Sequence, residues 1–329
     1  VKLLDCIAQS RAPLLVEQDN GAIYRLTSAC DFSGAVEGCP LRWVLQDDLT
    51  RTCAEIAYAD GRQLSDCLDL LRVPAQRLWV EWADEPRRSR LWNANAAATP
   101  ADGSSYALRA GALIEANHAG RRGVMRTFWT DRARPDDPLV GALETHFDFE
   151  GNLPQAGNAA DMFQGLFGSV TAGVTSPLDS VLTCVRYRFD PSWLKYYGQM
   201  QLSEAARAQI LHASLATVAN DWPILLALLL LLACPGELQM NPLSLQRLNA
   251  KRRGAGRPAL LEHVEVSAPV LSSAKISAAA EPRWRRGPRF HHVRGHLMRR
   301  GDALFWRAPH WRGHVRLGWI KSRTVLLHS

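Results

Sequence analysis

The chain lacks a hydrophobic run long enough to cross a bilayer. Its longest, Ile224 to Cys234, is bounded by Pro223 and by Pro235-Gly236. A spanning helix needs about 20 residues, so this run predicts a helix buried on all sides within the protein. The seven cysteines (6, 30, 39, 53, 67, 184 and 234) contain no Cys-x-x-Cys pair, and their number is odd. With no signal-peptide pattern at Val1, reduced thiols in a cytoplasm are the expectation. Cys30 and Cys39 are not spaced as a zinc knuckle. Gly165, Gly168 and Gly173 form no phosphate loop, because no Lys-Ser/Thr follows them. No dinucleotide fingerprint, heptad pattern or long repeat is present, so no cofactor is expected.

Acid is missing from one end. Pro282 to Ser329 holds eleven Arg and one Lys against a single carboxylate, Asp302. That segment carries +11 of a net +7, so the remainder is mildly acidic. A one-sided basic end suggests a polyanionic partner, nucleic acid or an acidic protein surface. Arg in place of Lys favours bidentate contacts to phosphate or carboxylate. A basic β-surface balanced by the acidic remainder is the alternative.

What that segment does contain is one phrase written twice: His292-Val293-Arg294-Gly295-His296 and His310-Trp311-Arg312-Gly313-His314. Alternate residues of a strand share a face, so each copy is expected to place two imidazoles and a guanidinium together. Four readings follow. In a binding surface, Arg294, Arg299, Arg300, Arg307 and Arg312 would hold phosphates and Trp306 and Trp311 would stack on bases. In a metal-independent ribonuclease or other nuclease, His296 with His310 or His314 would act as general acid and base. In a metal centre the four histidines would be ligands, which the surrounding positive charge opposes. In a purely structural device, the polar groups would bond the backbone.

A second basic element runs from Arg247 to Pro258. On a helix, Leu245 and Leu248 are expected to face inward and Arg247, Lys251 and Arg252 outward, as a phosphate-contacting helix end or a solvated face. In the strand Trp79-Val80-Glu81-Trp82, Glu81 lies opposite its apolar neighbours. A solvent-facing residue is the plain reading and a catalytic carboxylate the sharper one. His118, His146, His212 and His263 are isolated and call for no function.

The patterning predicts an α+β chain: antiparallel β-hairpins, a central helical block and a C-terminal basic β-meander. Strands are expected at 21–26, 77–82, 106–115, 123–130, 144–149, 182–189, 261–266, 291–300, 303–307 and 316–327, with a turn at Gly301-Asp302. Residues 87–92 are a candidate hairpin partner for 77–82. Helices are expected at 64–72, from Ser203 to about Asn220, from Pro223 to Pro235, and at 243–253. Residues 132–138 read as a charged linker and 151–177 as a loop. The chain divides into an N-terminal, mainly β region, 1–202, and a helical block plus basic β region, 203–329, as two domains or one continuous domain.

Three stretches, taken in order, carry a resemblance. They are Leu71-Arg72-Val73-Pro74 through Trp79-Val80-Glu81-Trp82, then Arg247-Leu248-Asn249 to Arg257-Pro258, then His292-Val293-Arg294-Gly295-His296 to Pro309-His310-Trp311-Arg312-Gly313. Together they resemble a group of uncharacterised proteins encoded by tailed bacteriophages and prophages. The match covers about a quarter of the chain, and Cys234-Pro235-Gly236 departs from the pattern. It implies a phage product in the bacterial host cytoplasm and supplies no reaction. The expectation is therefore a non-enzymatic nucleic-acid- or acidic-protein-binding protein with no metal or membrane. The nuclease is one alternative. A virion or assembly-forming protein using 151–177 as contact surface is another.

Overall fold

The computed structural model describes residues 2–18, 21–59, 67–85, 107–151, 184–200, 202–203, 205–206, 209–210, 213–214, 218, 221–268, 289–293, 295–301, 303–307, 310–312 and 314–319. The expectations for 87–92, most of 151–177 and most of 64–72 fall outside them. The fold is α+β. An eight-stranded sheet has the order β8-β7-β6-β5-β4-β3-β10-β9. Its strands are β3 (Leu41–Leu45), β4 (Arg77–Ala83), β5 (Ala107–Ala116), β6 (Arg122–Asp131), β7 (Leu139–Asp148), β8 (Val185–Phe189), β9 (Gln239–Leu243) and β10 (His263–Ser267).

Strands β4 to β8 run antiparallel, whereas β3 pairs parallel with both β4 and β10. Parallel neighbours need a crossover, and α3 (Asp47–Ala59) lies in the connection from β3 to β4. Neither β3 nor α3 stood out from the sequence. The β5–β6 hairpin joins the strands expected at 106–115 and 123–130 and closes at Asn117 to Gly120. Gly120 has φ +70°, and a Cβ there would lie 2.2 Å from the Val73 carbonyl oxygen, so only glycine fits.

Both sheet faces are covered. One carries Leu78, Val80 and Trp82 and packs against α3 and the apolar helix α5 (Trp222–Leu232). That helix is buried from Trp222 to Leu231, as its composition requires. The other face carries Trp79, Leu113 and Phe128 beneath α1 (Leu3–Gln9) and α2 (Ser33–Glu37). The stretch 193–197 belongs to helix α4 (Pro191–Gln199), capped by Asp190. Helix α6 (Gln246–Gly254) follows β9. Since β9, β10 and α5 build into the sheet and core of the first 202 residues, a boundary at 202/203 does not separate two cores. Among the described residues, no helix is long and apolar enough to cross a membrane.

A small hairpin, β1 (Leu14–Glu17) with β2 (Ile23–Leu26), precedes α2. The C-terminal strands do not run as a simple meander. Strand β12 (His296–Arg300) forms a hairpin with β13 (Ala303–Arg307) around Gly301, at the expected turn. Strand β11 (Arg289–Val293) instead lies between β14 (His310–Arg312) and β15 (His314–Trp319). The expected 291–300 strand is thus two strands, with Gly295 outside both, and glycine weakens strand continuity.

Glu81 is fully buried, correcting its reading as a solvent-facing residue. Its Oε1 accepts from Leu3 N at 3.1 Å and Arg109 Nε at 2.7 Å. Its Oε2 accepts from Leu4 N at 2.8 Å and Trp79 Nε1 at 3.3 Å. The carboxylate therefore caps α1 from a strand more than seventy residues away, where the free N–H groups and helix dipole favour an anion. Glu81→Ala is expected to cost about 3–5 kcal/mol, because it strands the Arg109 charge and two helix donors. Urea denaturation checks this, and a loss below about 1 kcal/mol would contradict the role.

Candidate functional site

The β12–β13 hairpin has two chemically different faces, and the pleat assigns its residues to them. Leu297 opposes Trp306 and Arg299 opposes Leu304, so these four share the inward side. Leu297 and Leu304 are buried in the core on the α5 side, and Trp306 packs against it. Arg299 is held by Asp69 in a bidentate pair, Nη1–Oδ1 2.8 Å and Nη2–Oδ2 2.7 Å, and its Nε donates to the Gly301 carbonyl. Asp69 is held below its ordinary pKa chiefly by the Arg299 hydrogen bonds. Thus two residues expected to meet a ligand, Arg299 and Trp306, attach the hairpin to the body.

The outward side carries His296, Met298, Arg300, Ala303, Phe305 and Arg307 by the same register. Arg300 and Arg307 are exposed. Among the described residues, neither they nor the exposed Arg312 forms an ion pair with a carboxylate. Phe305 is 44% exposed between them, whereas Trp306, expected to stack on a base, packs inward. Period-two patterning from Leu304 and Trp306 would have revealed it.

The two copies of the repeated phrase do meet. Strands β11 and β14 pair antiparallel, with His292 opposite Trp311 and Val293 opposite His310, about 5 Å apart across the ladder. The expectation that each copy shares one strand face is overturned. His292 lies on β11 and His296 on β12, while His310 lies on β14 and His314 on β15. Arg294 lies outside the described residues.

The second basic element is separate from this surface. Asn249 of α6 clamps Leu260, donating Nδ2 to its carbonyl at 2.9 Å and accepting its N–H at 2.8 Å. The adjoining Leu261 N donates to Asp5 of α1 at 2.8 Å and Leu261 packs against the α1-side core. The hairpin attaches to the opposite, α5-side core. Arg247 and Lys251 are exposed, but Arg252 is half-buried and donates Nε to the Pro258 carbonyl. Leu248, expected to face inward, is 45% exposed. Lys251, Arg252 and Arg253 occupy the last turn of α6, where cations suit the helix dipole.

One cluster escaped sequence reasoning. Glu144 and His146, two residues apart on β7, share a face. His146 Nε2 lies 3.2 Å from Glu144 Oε2, and Arg126 pairs with the same carboxylate. Arg126 also stands over the Phe32 ring. The signal was Glu-x-His, two residues on one face of the strand expected at 144–149; what the sequence could not show is Arg126 of the neighbouring β6 beside them. Among the described residues, no group of three or more His, Cys, Asp or Glu is placed to hold a metal ion. The thiols of Cys53, Cys184 and Cys234 are pushed up by burial, the last two to about 12, which opposes nucleophilic use. No protein-family model, curated protein or solved structure matches the chain.

The Glu144 carboxyl is held below its ordinary value of 4.5, first by the His146 hydrogen bond and then, against burial, by Arg126. A lowered folded value stabilises the protein above the unfolded pKa, and the benefit is lost as pH falls through the folded one. NMR titration should show His146→Ala moving the Glu144 midpoint upward. No movement would contradict the pairing.

Proposed function

We propose that the chain is a non-enzymatic, phage-encoded protein of the bacterial host cytoplasm that binds nucleic acid through its C-terminal β-region. The observation that carries this reading is the segregation of the β12–β13 hairpin. Its apolar residues and Arg299 anchor it, while Arg300 and Arg307 stand exposed with no acidic partner among the described residues, and with Phe305 between them. Guanidinium groups suit phosphate oxygens in bidentate geometry, and an exposed ring offers a platform for a base. Arg312 adds charge from β14. The α6 cations Arg247 and Lys251 belong to another side of the molecule and are not part of this surface.

A salt titration of DNA and RNA binding tests the proposal. Affinity should fall steeply with salt, and Arg300→Ala with Arg307→Ala should lower the log–log slope by about 2. Arg299→Ala should lower it less, since that guanidinium is engaged by Asp69. No binding at low salt, or salt-insensitive binding, would refute it. Binding only to acidic proteins would transfer the surface to a protein partner.

The pairing of β11 with β14 favours a second reading, a metal-independent nuclease. It sets His292 and Val293 of the first phrase beside Trp311 and His310 of the second, and in this reading His296 with His310 or His314 would act as general acid and base. Cleavage that persists in chelator and disappears on substitution of these histidines would support it; absence of cleavage under all conditions would end it.

A further inference from the structure

A cavity of about 490 Å³ opens where β6, β7, α4 and the segment after β2 converge. Its size falls within the usual range for small-molecule sites, roughly 300–1,000 Å³. Aromatic residues from two elements line it: Trp129 of β6, and Trp193 and Tyr197 of α4. The last two are one helical turn apart, with ring centroids 5.7 Å apart and planes inclined by 34°. Arg134 and Asp137, from the β6–β7 connection, also line the cavity. Their ion pair is loose, 3.5 Å, and both side chains are more than half exposed, so each can exchange partners at little cost.

The walls are held in place without a ligand. Asp190 Oδ1 accepts from Ser192 N at 2.9 Å, Ser192 Oγ at 2.6 Å and Thr27 Oγ1 at 2.7 Å. Thr27 N donates to Ser192 Oγ at 2.8 Å, and Asp190 N donates to the Ala142 carbonyl at 2.9 Å. Asp190 thus joins three parts of the wall: its buried carboxylate ties α4 to Thr27, and its backbone N–H ties α4 to β7. A site fixed in advance loses less entropy on binding.

We propose that this cavity binds a small molecule with a planar aromatic ring. The ring would lie among Trp129, Trp193 and Tyr197, and polar substituents would reach Arg134 and Asp137. Flat π-surfaces of this kind favour a planar guest over a saturated one of equal size. This site is independent of the basic hairpin.

Saturation-transfer NMR on the full chain, with indole and adenine as planar probes and cyclohexanol as a non-planar control, tests it. Transfer to at least one planar probe is expected, with affinity about tenfold weaker in Trp193→Leu, a loss of about 1.4 kcal/mol. Should that variant not fold, Tyr197→Leu, checked by circular dichroism, should weaken binding in the same direction. No transfer to either planar probe at millimolar concentration would overturn the proposal. So would unchanged binding in the folded variants, or equal binding of cyclohexanol.

Discussion

The buried carboxylate of Glu81 is the constraint on which the α1 side of the molecule depends. A charge removed from water is costly unless its hydrogen-bonding capacity is met. Here two helix N–H groups, an indole and a guanidinium meet it together. The requirement runs in both directions: α1 has no side-chain cap of its own, and Glu81 has no solvent. Once α1 is held, Asp5 in its first turn can receive the Leu261 N–H. Burial pushes Asp5 up, and the Leu261 bond opposes that shift. Asn249 then locks the preceding residue, so α1, the sheet and the α6 loop form one connected unit.

A different kind of attachment holds the hairpin on the other side of the sheet. Leu297, Leu304 and Trp306 bury apolar surface, and the Arg299–Asp69 pair adds orientation. That pair is partly exposed, with side chains 33% and 56% accessible, so its geometry matters more than its energy. The apolar contacts hold the hairpin, and the pair determines which cations remain available. Basic residues that look like one class in the sequence separate into three: a structural anchor, an exposed pair beside Phe305, and helix-end cations tied to the α1 side.

Much of the fold was legible because its elements obey a single period. Strands β4, β5 and β6 alternate or run apolar between clear turns, and the all-apolar α5 has nowhere to lie except inside. Reading failed where tertiary contacts override local pattern. Glu81 alternates with apolar residues, the usual mark of a wet face, yet α1 covers that face. Helix α4, absent from the expected helices, forms because Asp190 and Pro191 start one. Glu144 and His146 lie in a strand that was expected, but their partner Arg126 comes from the neighbouring β6 and only the sheet register brings it there.

The repeated phrase shows the division most clearly. By itself the sequence determined that histidine and arginine are concentrated near the C-terminus, that acid is nearly absent there, and that the apolar run from Ile224 must be internal. These follow from composition and spacing. Only the tertiary structure decided that each copy is divided between two strands, that β11 and β14 pair, that Arg299 and Trp306 turn inward, and that Glu81 is a buried cap. Those outcomes depend on which surfaces meet across long sequence separations, where burial and charge pairing overrule the period of any single strand.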